Sequence, residues 1–472
     1  MKRTKIVATM GPSSAKREVL KKMFESGVNV CRLNFSHGSH EDHENIIRMI
    51  RDLNTETGLS VAILGDLQGP KIRTGKMTDN GVLLEAGQKV KITTKDVLGT
   101  AKRFSINYQD LPQDVNVGER LLLDDGKLTL EVIDSNGKTE ITAEVILGGI
   151  LSSRKGVNFP NTEISMPSLT EKDRLDLDFA LLHEVDWIAL SFVRSVVDMR
   201  ELKDIIKEQG KHTKVIAKIE KPEAIEQIDE IIAESNALMV ARGDLGVEIP
   251  FQNVPLIQKM LIRKCRANAK PVIVATQMME SMIDNTTPSR AEVNDVANAV
   301  FDGTDAVMLS GETSVGKYPV EVIQAMSNIV KEIEDYDDLY NKHEAPEKDH
   351  TRFITDSICF NAVRLCKRVE AKAILTMSFT GYTGYKVASQ RPNANIFVFT
   401  SNRRILTQLN LVWGVKGFYY DKTESTDQTI SDIKNMLRDE GKINSGDLVI
   451  NIASMPIEEH GNSNMLKLSY VD

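Results

Sequence analysis

Lys214-Val215-Ile216-Ala217-Lys218-Ile219-Glu220 and, one helix-length interval later, Ala237-Leu238-Met239-Val240-Ala241-Arg242-Gly243-Asp244 decide how the chain is read. Each run is apolar, of strand length, and ends abruptly in charge. In the first, Lys218 and Glu220 lie two apart and share one face of an extended chain. Charge at the end of a buried strand is expensive unless something uses it. The interval between the runs has helical periodicity, so the pair reads as one strand-helix-strand unit with parallel strands.

The same unit recurs outward in both directions, over residues 4–66 and 170–340. Eight strands are predicted, at Lys5–Thr9, Val28–Leu33, Val61–Gly65, Trp187–Ser191, Lys214–Ile219, Ala237–Ala241, Pro271–Ala275 and Ala306–Leu309. Eight such units predict an α/β fold, a (β/α)8 TIM barrel made of residues 1–69 and 168–340. Residues 70–167 interrupt it after the third strand with alternating segments such as Val90-Lys91-Ile92-Thr93 and hairpin signals at Asp125-Gly126 and Asn136-Gly137. They predict an inserted all-β lid domain at the mouth of the barrel, because loops that follow barrel strands emerge on the face where chemistry sits. After the acidic stretch Asp335–Asp349, residues 341–472 predict a C-terminal α/β domain of regulatory size, with strands at Ala373–Thr376, Ile396–Thr400 and Leu448–Ile452.

The bulk numbers fit this division. A chain of 472 residues with 41% hydrophobic content can bury several cores. Its formal charge of −8 gives no general attraction to nucleic acid or to an anionic membrane, so no partner of either kind is expected. No apolar run is long enough to span a bilayer, and Met1-Lys2-Arg3-Thr4 leads straight into a strand, which predicts a cytoplasmic protein. Cys31, Cys265, Cys359 and Cys366 form no C-x-x-C pair and read as reduced, buried thiols.

Polar groups close nearly every predicted strand at the same end. The second strand runs into Arg32-Leu33-Asn34-Phe35-Ser36-His37-Gly38, where Arg32, Asn34 and Ser36 share a face if the chain stays extended. That trio suits a phosphate held by a guanidinium with oxygens left for a metal; the alternative is a buried arginine paired with Asp66. Glu220 and Asp244, with no His or Cys nearby in sequence, are oxygen donors suited to magnesium. Their alternative is a three-way ion pair with Lys218. The seventh strand ends in Thr276-Gln277 and the eighth in Ser310-Gly311-Glu312. Ser378-Phe379-Thr380-Gly381-Tyr382-Thr383-Gly384 opens a helix in the C-terminal part, either as a phosphate-binding loop or as an ordinary helix start.

Arg32 through Gly38, Ala217 through Glu220, Met239 through Glu248 and Asp302 through Glu312 together resemble the pyruvate kinase family. The resemblance runs in order from residue 4 to about 320 and more loosely to the end. It implies phosphoryl transfer from phosphoenolpyruvate to ADP, giving pyruvate and ATP at the final step of glycolysis. It also implies Mg2+, or Mn2+ in its place, and a homotetramer. By that likeness Arg32 binds the transferring phosphoryl group, Glu220 and Asp244 ligate the metal, and Lys218 lies against the phosphoryl group and the enolate oxygen. Thr276 and the backbone at Gly243 and Asp244 receive the substrate carboxylate, while Arg73, Lys155 and His37 contact the nucleotide. Thr276, or a water relayed through Ser310 and Glu312, protonates the enolate. Many family members need potassium and carry a threonine and an acidic residue where this chain has Leu67 and Lys71. The implied reading is that the Lys71 ammonium replaces K+, leaving Asn34, Ser36 and Asp66 as remnants of that site. Ser378, Thr380, Gly381 and Thr383 match an effector loop for a phosphorylated allosteric ligand.

Two other readings compete. A magnesium lyase acting on pyruvate enolate needs no inserted nucleotide domain, and a non-catalytic sensor would be expected to lose the polar mouth that Arg32, Lys218, Glu220, Asp244 and Thr276 form.

Overall fold

A computed structural model describes residues 2–160, 162–336, 339–342, 345–348, 351–422, 425–455 and 462–472; the acidic stretch Asp335–Asp349 lies partly outside them. Eight parallel strands close into a barrel: Lys5–Thr9, Val30–Asn34, Ala62–Asp66, Trp187–Leu190, Lys214–Ile219, Ala237–Ala241, Val272–Ala275 and Ala306–Leu309. The first pairs with both the second and the eighth. Small shifts from the expected bounds have local causes. The second strand starts at Val30 because Gly27, at φ 114°, caps the preceding helix Arg17–Ser26, and the Val28 amide donates back to the Met23 carbonyl at 3.2 Å.

Alternation along the strands separates two cores. Val30, Leu64, Ala189, Ile216, Met239 and Met308 belong to the cluster that fills the barrel. Their neighbours Cys31, Leu33, Ile63, Ile188, Val215 and Val240 face outward against the helices. Leu411, from the C-terminal part, joins the interior cluster fully buried, so the floor of the barrel is plugged by a residue outside it.

Within the insertion, Arg120–Leu123, Leu128–Ser135 and Glu140–Leu147 form consecutive antiparallel strands of a six-stranded sheet. Both hairpin turns stand where expected. Asp125 and Gly126 adopt φ 58° and 83°, and Asn136 Oδ1 accepts from the amides of Lys138, Thr139 and Glu140. The C-terminal sheet holds Ala373–Met377, Asn395–Thr400, Val415–Tyr419 and Leu448–Ala453 in parallel, with Met465–Tyr470 antiparallel at one edge. Val415–Tyr419 and Met465–Tyr470 were not expected. In the first, Gly417 breaks the apolar run because a Cβ there would stand 2.9 Å from Leu406 Cδ2. Met465–Tyr470 is an edge strand whose side chains are largely exposed.

The four cysteines are free and buried. Burial raises all four thiols above their ordinary values, Cys359 to about 12 and Cys366 to about 11. Cys359 and Cys366 share the inner face of the helix Phe353–Val369.

Beneath the barrel, Asp186 accepts hydrogen bonds from the Ile63 amide at 2.7 Å and from the Thr407 hydroxyl of the C-terminal part. Burial pushes its carboxyl up to about 6. A folded-state pKa above the unfolded value contributes stability at pH below about 4 that is lost as the pH rises through about 6. Asp186→Asn is expected to remove that dependence and to stabilise the fold at pH 7.5 by on the order of 1–2 kcal/mol. Urea unfolding of both chains at pH 5 and 7.5 checks this; a variant less stable at pH 7.5 would overturn it.

Candidate active site

The interior-facing alternation continues past the apolar layers and becomes polar at the mouth. Thr9, Arg32, Asp66, Ser191, Lys218 and Glu220 are the next members of five adjacent strand faces, and all are at least nine-tenths buried. Arg32 Nε donates to Asp66 Oδ2 at 2.6 Å and Arg32 Nη1 to the Thr9 hydroxyl at 2.9 Å. Lys218 Nζ lies 3.2 Å from Asp66 Oδ1, 3.0 Å from Glu220 Oε1 and 2.6 Å from Ser191 Oγ. The other oxygen of Glu220 accepts from the Phe192 amide at 2.7 Å.

Burial works against the charge of each member, and the partners decide the outcome. The carboxylates of Asp66 and Glu220 outweigh the burial of Lys218 and hold its ammonium above the ordinary lysine value. Lys218 and Arg32 outweigh the burial of Asp66 and hold it below the ordinary carboxylate value. Glu220 ends above its ordinary value, because burial and the nearby charge of Asp244 exceed what Lys218 and the Phe192 amide return.

One expectation needs correcting: Ser36 does not continue the face of Arg32 and Asn34, because the strand ends at Asn34, whose Oδ1 accepts from the Ser36 amide at 3.1 Å and turns the chain. Of the alternatives that the sequence left open, the buried pair of Arg32 with Asp66 is present, and Lys218 pairs with Glu220 and Asp66; among the described residues no ion pair joins it to Asp244. Asp244 sits on the short helix Arg242–Glu248 and acts on both groups through space. Two participants were missed. The sequence reading places Ser191 and Thr9 at the ends of their strands without a role; the fourth strand ends at Leu190, and parity with Trp187 and Ala189 points Ser191 inward, as parity with Val7 does Thr9.

Gly243 and Thr276 meet directly: the Gly243 amide donates to Thr276 Oγ1 at 2.8 Å, and that hydroxyl donates to the Ala275 carbonyl at 2.6 Å. Thr276 and Gln277 hold φ values of 72° and 55°, a strained turn. Arg242 secures it, with Nη2 2.6 Å from the Thr276 carbonyl and both terminal nitrogens 2.7 Å from the Asp295 carboxylate. Glu312 is buried and its carboxyl is raised by burial, while its oxygens accept from the Ser310 amide at 2.7 Å and the Met279 amide at 3.2 Å.

On the insertion side, His37 is held below its ordinary value by burial and by the charges of Arg73, Lys71 and Arg32. Arg73 donates to the Arg154 carbonyl at 3.2 Å, and its backbone bridges Gly156. Lys155 pairs with Asp124 at 2.9 Å. Leu67 is buried, its carbonyl accepting from Ser191 Oγ at 2.6 Å. Lys71 lines a narrow cleft with Asn158, Phe192, Lys221 and Asp244. Asn158 Nδ2 reaches across it to Glu248 Oε1 at 2.8 Å, the oxygen that also pairs with Lys221 at 2.7 Å. In the C-terminal loop, Ser378 Oγ accepts from the Gly381 amide, while Thr383 is buried with its hydroxyl 2.9 Å from Ser463 Oγ.

A parallel barrel whose strand ends supply two buried cations and converging carboxylates, beside the insertion-side cations Lys71 and Arg73, defines an enzyme that handles anionic substrates. The family described as "Pyruvate kinase, barrel domain" matches residues 1–323, and "Pyruvate kinase, alpha/beta domain" matches residues 356–469. The pyruvate kinase of Corynebacterium glutamicum is 44% identical over 466 residues, covering 98% of this chain and 97% of that protein. That of Geobacillus stearothermophilus is 43% identical over 476 residues, covering all of this chain and 80% of that protein. A solved Cryptosporidium parvum pyruvate kinase superposes with a TM-score of 0.93 at 35% identity, covering 100% of this chain and 96% of that one. The chain belongs to the pyruvate kinase family. It is a phosphotransferase that works between phosphoenolpyruvate and ADP, at the glycolytic step that yields pyruvate and ATP.

Because Asp66 serves both Arg32 and Lys218, Asp66→Asn is expected to leave two buried cations short of countercharge and to cost roughly 3–5 kcal/mol of stability. Denaturant unfolding at pH 7.5 measures it, and a loss below about 1 kcal/mol would show that the pairs are solvated.

Proposed function

We propose that the buried cluster is the phosphoryl-transfer centre, with Arg32 on the transferring group and Lys218 on the phosphoryl and enolate oxygens. The observation that carries this is the packing of both cations against carboxylates within 3.2 Å at the end of the barrel strands. Glu220 and Asp244 fit Mg2+, or Mn2+ in its place, as an all-oxygen donor pair. Arg32, Lys218, Asp66, Glu220 and Asp244 carry one net negative charge, which a divalent cation with an anionic substrate would balance. When bound, the metal supplies charge neutralisation at the phosphoryl oxygens.

The protein groups do the rest. Thr276 and the amides of Gly243 and Asp244 receive the substrate carboxylate, which requires the Gly243 amide to exchange its present bond to Thr276 for one to substrate. Lys218 offsets negative charge as the enolate forms in a site closed to water. Thr276, or a water relayed through Ser310 and Glu312, protonates the enolate; the Thr276 hydroxyl must first release the Ala275 carbonyl, and both Glu312 oxygens accept from backbone amides.

Residues 1–69 and 168–340 form the catalytic body, 70–167 a lid, and 341–472 a regulatory domain. Arg73, Lys155 and His37 hold the nucleotide phosphates under that lid. The cleft at Lys71 and Asn158, where the insertion meets the barrel, has about 40 Å3 of open space, far below the ~300 Å3 of a small-ligand pocket. Leu67, which lacks a hydroxyl, and the Lys71 ammonium beside His37 support a centre that works without K+, with Asn34, Ser36 and Asp66 as remnants of the cation site. Ser378, Thr380, Gly381 and Thr383 form the loop for a phosphorylated effector, with Thr383 buried against Ser463. A homotetramer in the cytoplasm completes the reading, and no described helix is long and apolar enough to cross a membrane.

Pyruvate release from phosphoenolpyruvate, ADP and Mg2+ is expected to proceed within about twofold with and without K+, and Lys71→Glu is expected to make it K+-dependent. A many-fold stimulation of the unmodified chain by K+ would discard the Lys71 reading while leaving the kinase intact. Lys218→Met is expected to lower kcat by on the order of 10^2–10^3-fold while the KM for phosphoenolpyruvate moves less than about threefold. An equal rise in KM with kcat preserved would assign Lys218 to binding alone.

A further inference from the structure

On the face of the barrel opposite the mouth, a cleft of about 760 Å3 opens between the barrel floor and the C-terminal part. The helix Val196–Glu208 gives it Arg200, Lys203 and Lys207; the following turn and strand give Lys211 and Lys214; the helix Arg403–Gln408 gives Arg404. Six cations line it against two carboxylates, Asp204 and Glu234, an excess of four positive charges in a chain whose net charge is −8. The cleft continues through Lys211 and Arg404 into a second cavity of about 540 Å3 that adds Arg51 and Arg403 against Asp186 and Glu184, the latter 3.8 Å from Lys211, so the excess of four positive charges is unchanged.

The carboxylates do not neutralise this wall. Glu234 is taken by Lys203 and Arg200. Among the described residues, Lys207, Lys214 and Arg404 have no carboxylate partner. Lys214 is largely shielded from water with its ammonium 5.6 Å from the centre of the Tyr385 ring, and burial alone holds its pKa below the ordinary value. A concave, cation-lined space with unmatched charge lowers the free energy of a small dianion that enters it.

We propose that this cleft is an anion site that binds a compact phosphomonoester across the seam between the barrel floor and the C-terminal part. Its volume is that of a small-metabolite pocket, and its two walls come from the barrel and from the C-terminal part, so one ligand touches both. Ser378, Thr380, Gly381 and Thr383 do not line it; Phe379 alone is shared with that loop, at the rim. The site therefore adds to the effector-loop reading and does not rest on it.

Calorimetric titration of the full chain with inorganic phosphate, AMP and glucose 6-phosphate tests the assignment. Three variants accompany the parent: Lys207→Glu and Arg404→Glu, both exposed residues of the cleft, and Thr380→Glu in the effector loop. At least one of the anions is expected to bind saturably, to persist in Thr380→Glu, and to weaken by about tenfold or more in each cleft variant, with ligand-free unfolding midpoints unchanged. Phosphate alone binding would mean that the phosphoryl group suffices; binding of an ester only would mean that the rest of the molecule contributes. Absence of saturable binding, loss in Thr380→Glu, or unchanged affinity in both cleft variants overturns the proposal.

Discussion

One carboxylate, Asp66, holds the mouth of the barrel together. Its two oxygens serve Arg32 and Lys218, which arrive from strands on either side of it, and it is 1% exposed. Neither cation could be desolvated alone at tolerable cost, and the attraction that offsets the cost exists only when the barrel is closed and its register is correct. The same closure brings Ser191 under Lys218 and Glu220 beside it. The arrangement of Arg32, Asp66, Lys218 and Glu220 is thus a by-product of satisfying buried charge, and it is carried at the ends of the barrel strands, whereas Gly243, Asp244 and Thr276 depend on the segments that follow them.

Much of this was legible because alternation along a strand is a local property. Lys218 and Glu220 announce themselves as charge in an apolar run, and the eight runs announce the barrel. What failed to show depended on distances that a linear pattern does not encode. Lys218 reaches past the intervening fourth strand to Asp66 on the third, a contact set by the stagger of the barrel, and the sequence paired Asp66 only with Arg32, as one alternative. Ser36 was misjudged because the Asn34 side chain can end an extended run as readily as decorate it. Val415–Tyr419 was hidden by Gly417, whose purpose is the close approach of Leu406.

The C-terminal part is joined to the barrel by more than proximity. Leu411 fills the floor of the interior, Arg391 pairs with Asp305 at 3.1 Å beneath the eighth strand, and Lys5 Nζ donates to the Val415 carbonyl at 2.8 Å. These contacts are apolar, ionic and backbone-directed in turn, so the seam resembles a domain core more than a transient interface. A displacement of the C-terminal sheet cannot occur without repacking the barrel floor.

The insertion is attached differently. Its outgoing strand is gripped where the Gly69 amide donates to Asp173 at 3.0 Å, and its return strand where Arg194 holds the Met166 carbonyl at 2.6 Å, together with the Ile164 carbonyl. Two pinned threads would confine the lid proposed above to the freedom of a door on its hinges, one angle and little else. Each swing would then repeat the same arc, and the search for the closed pose would be one-dimensional, with almost no orientational entropy to surrender when Asn158 meets Glu248 again.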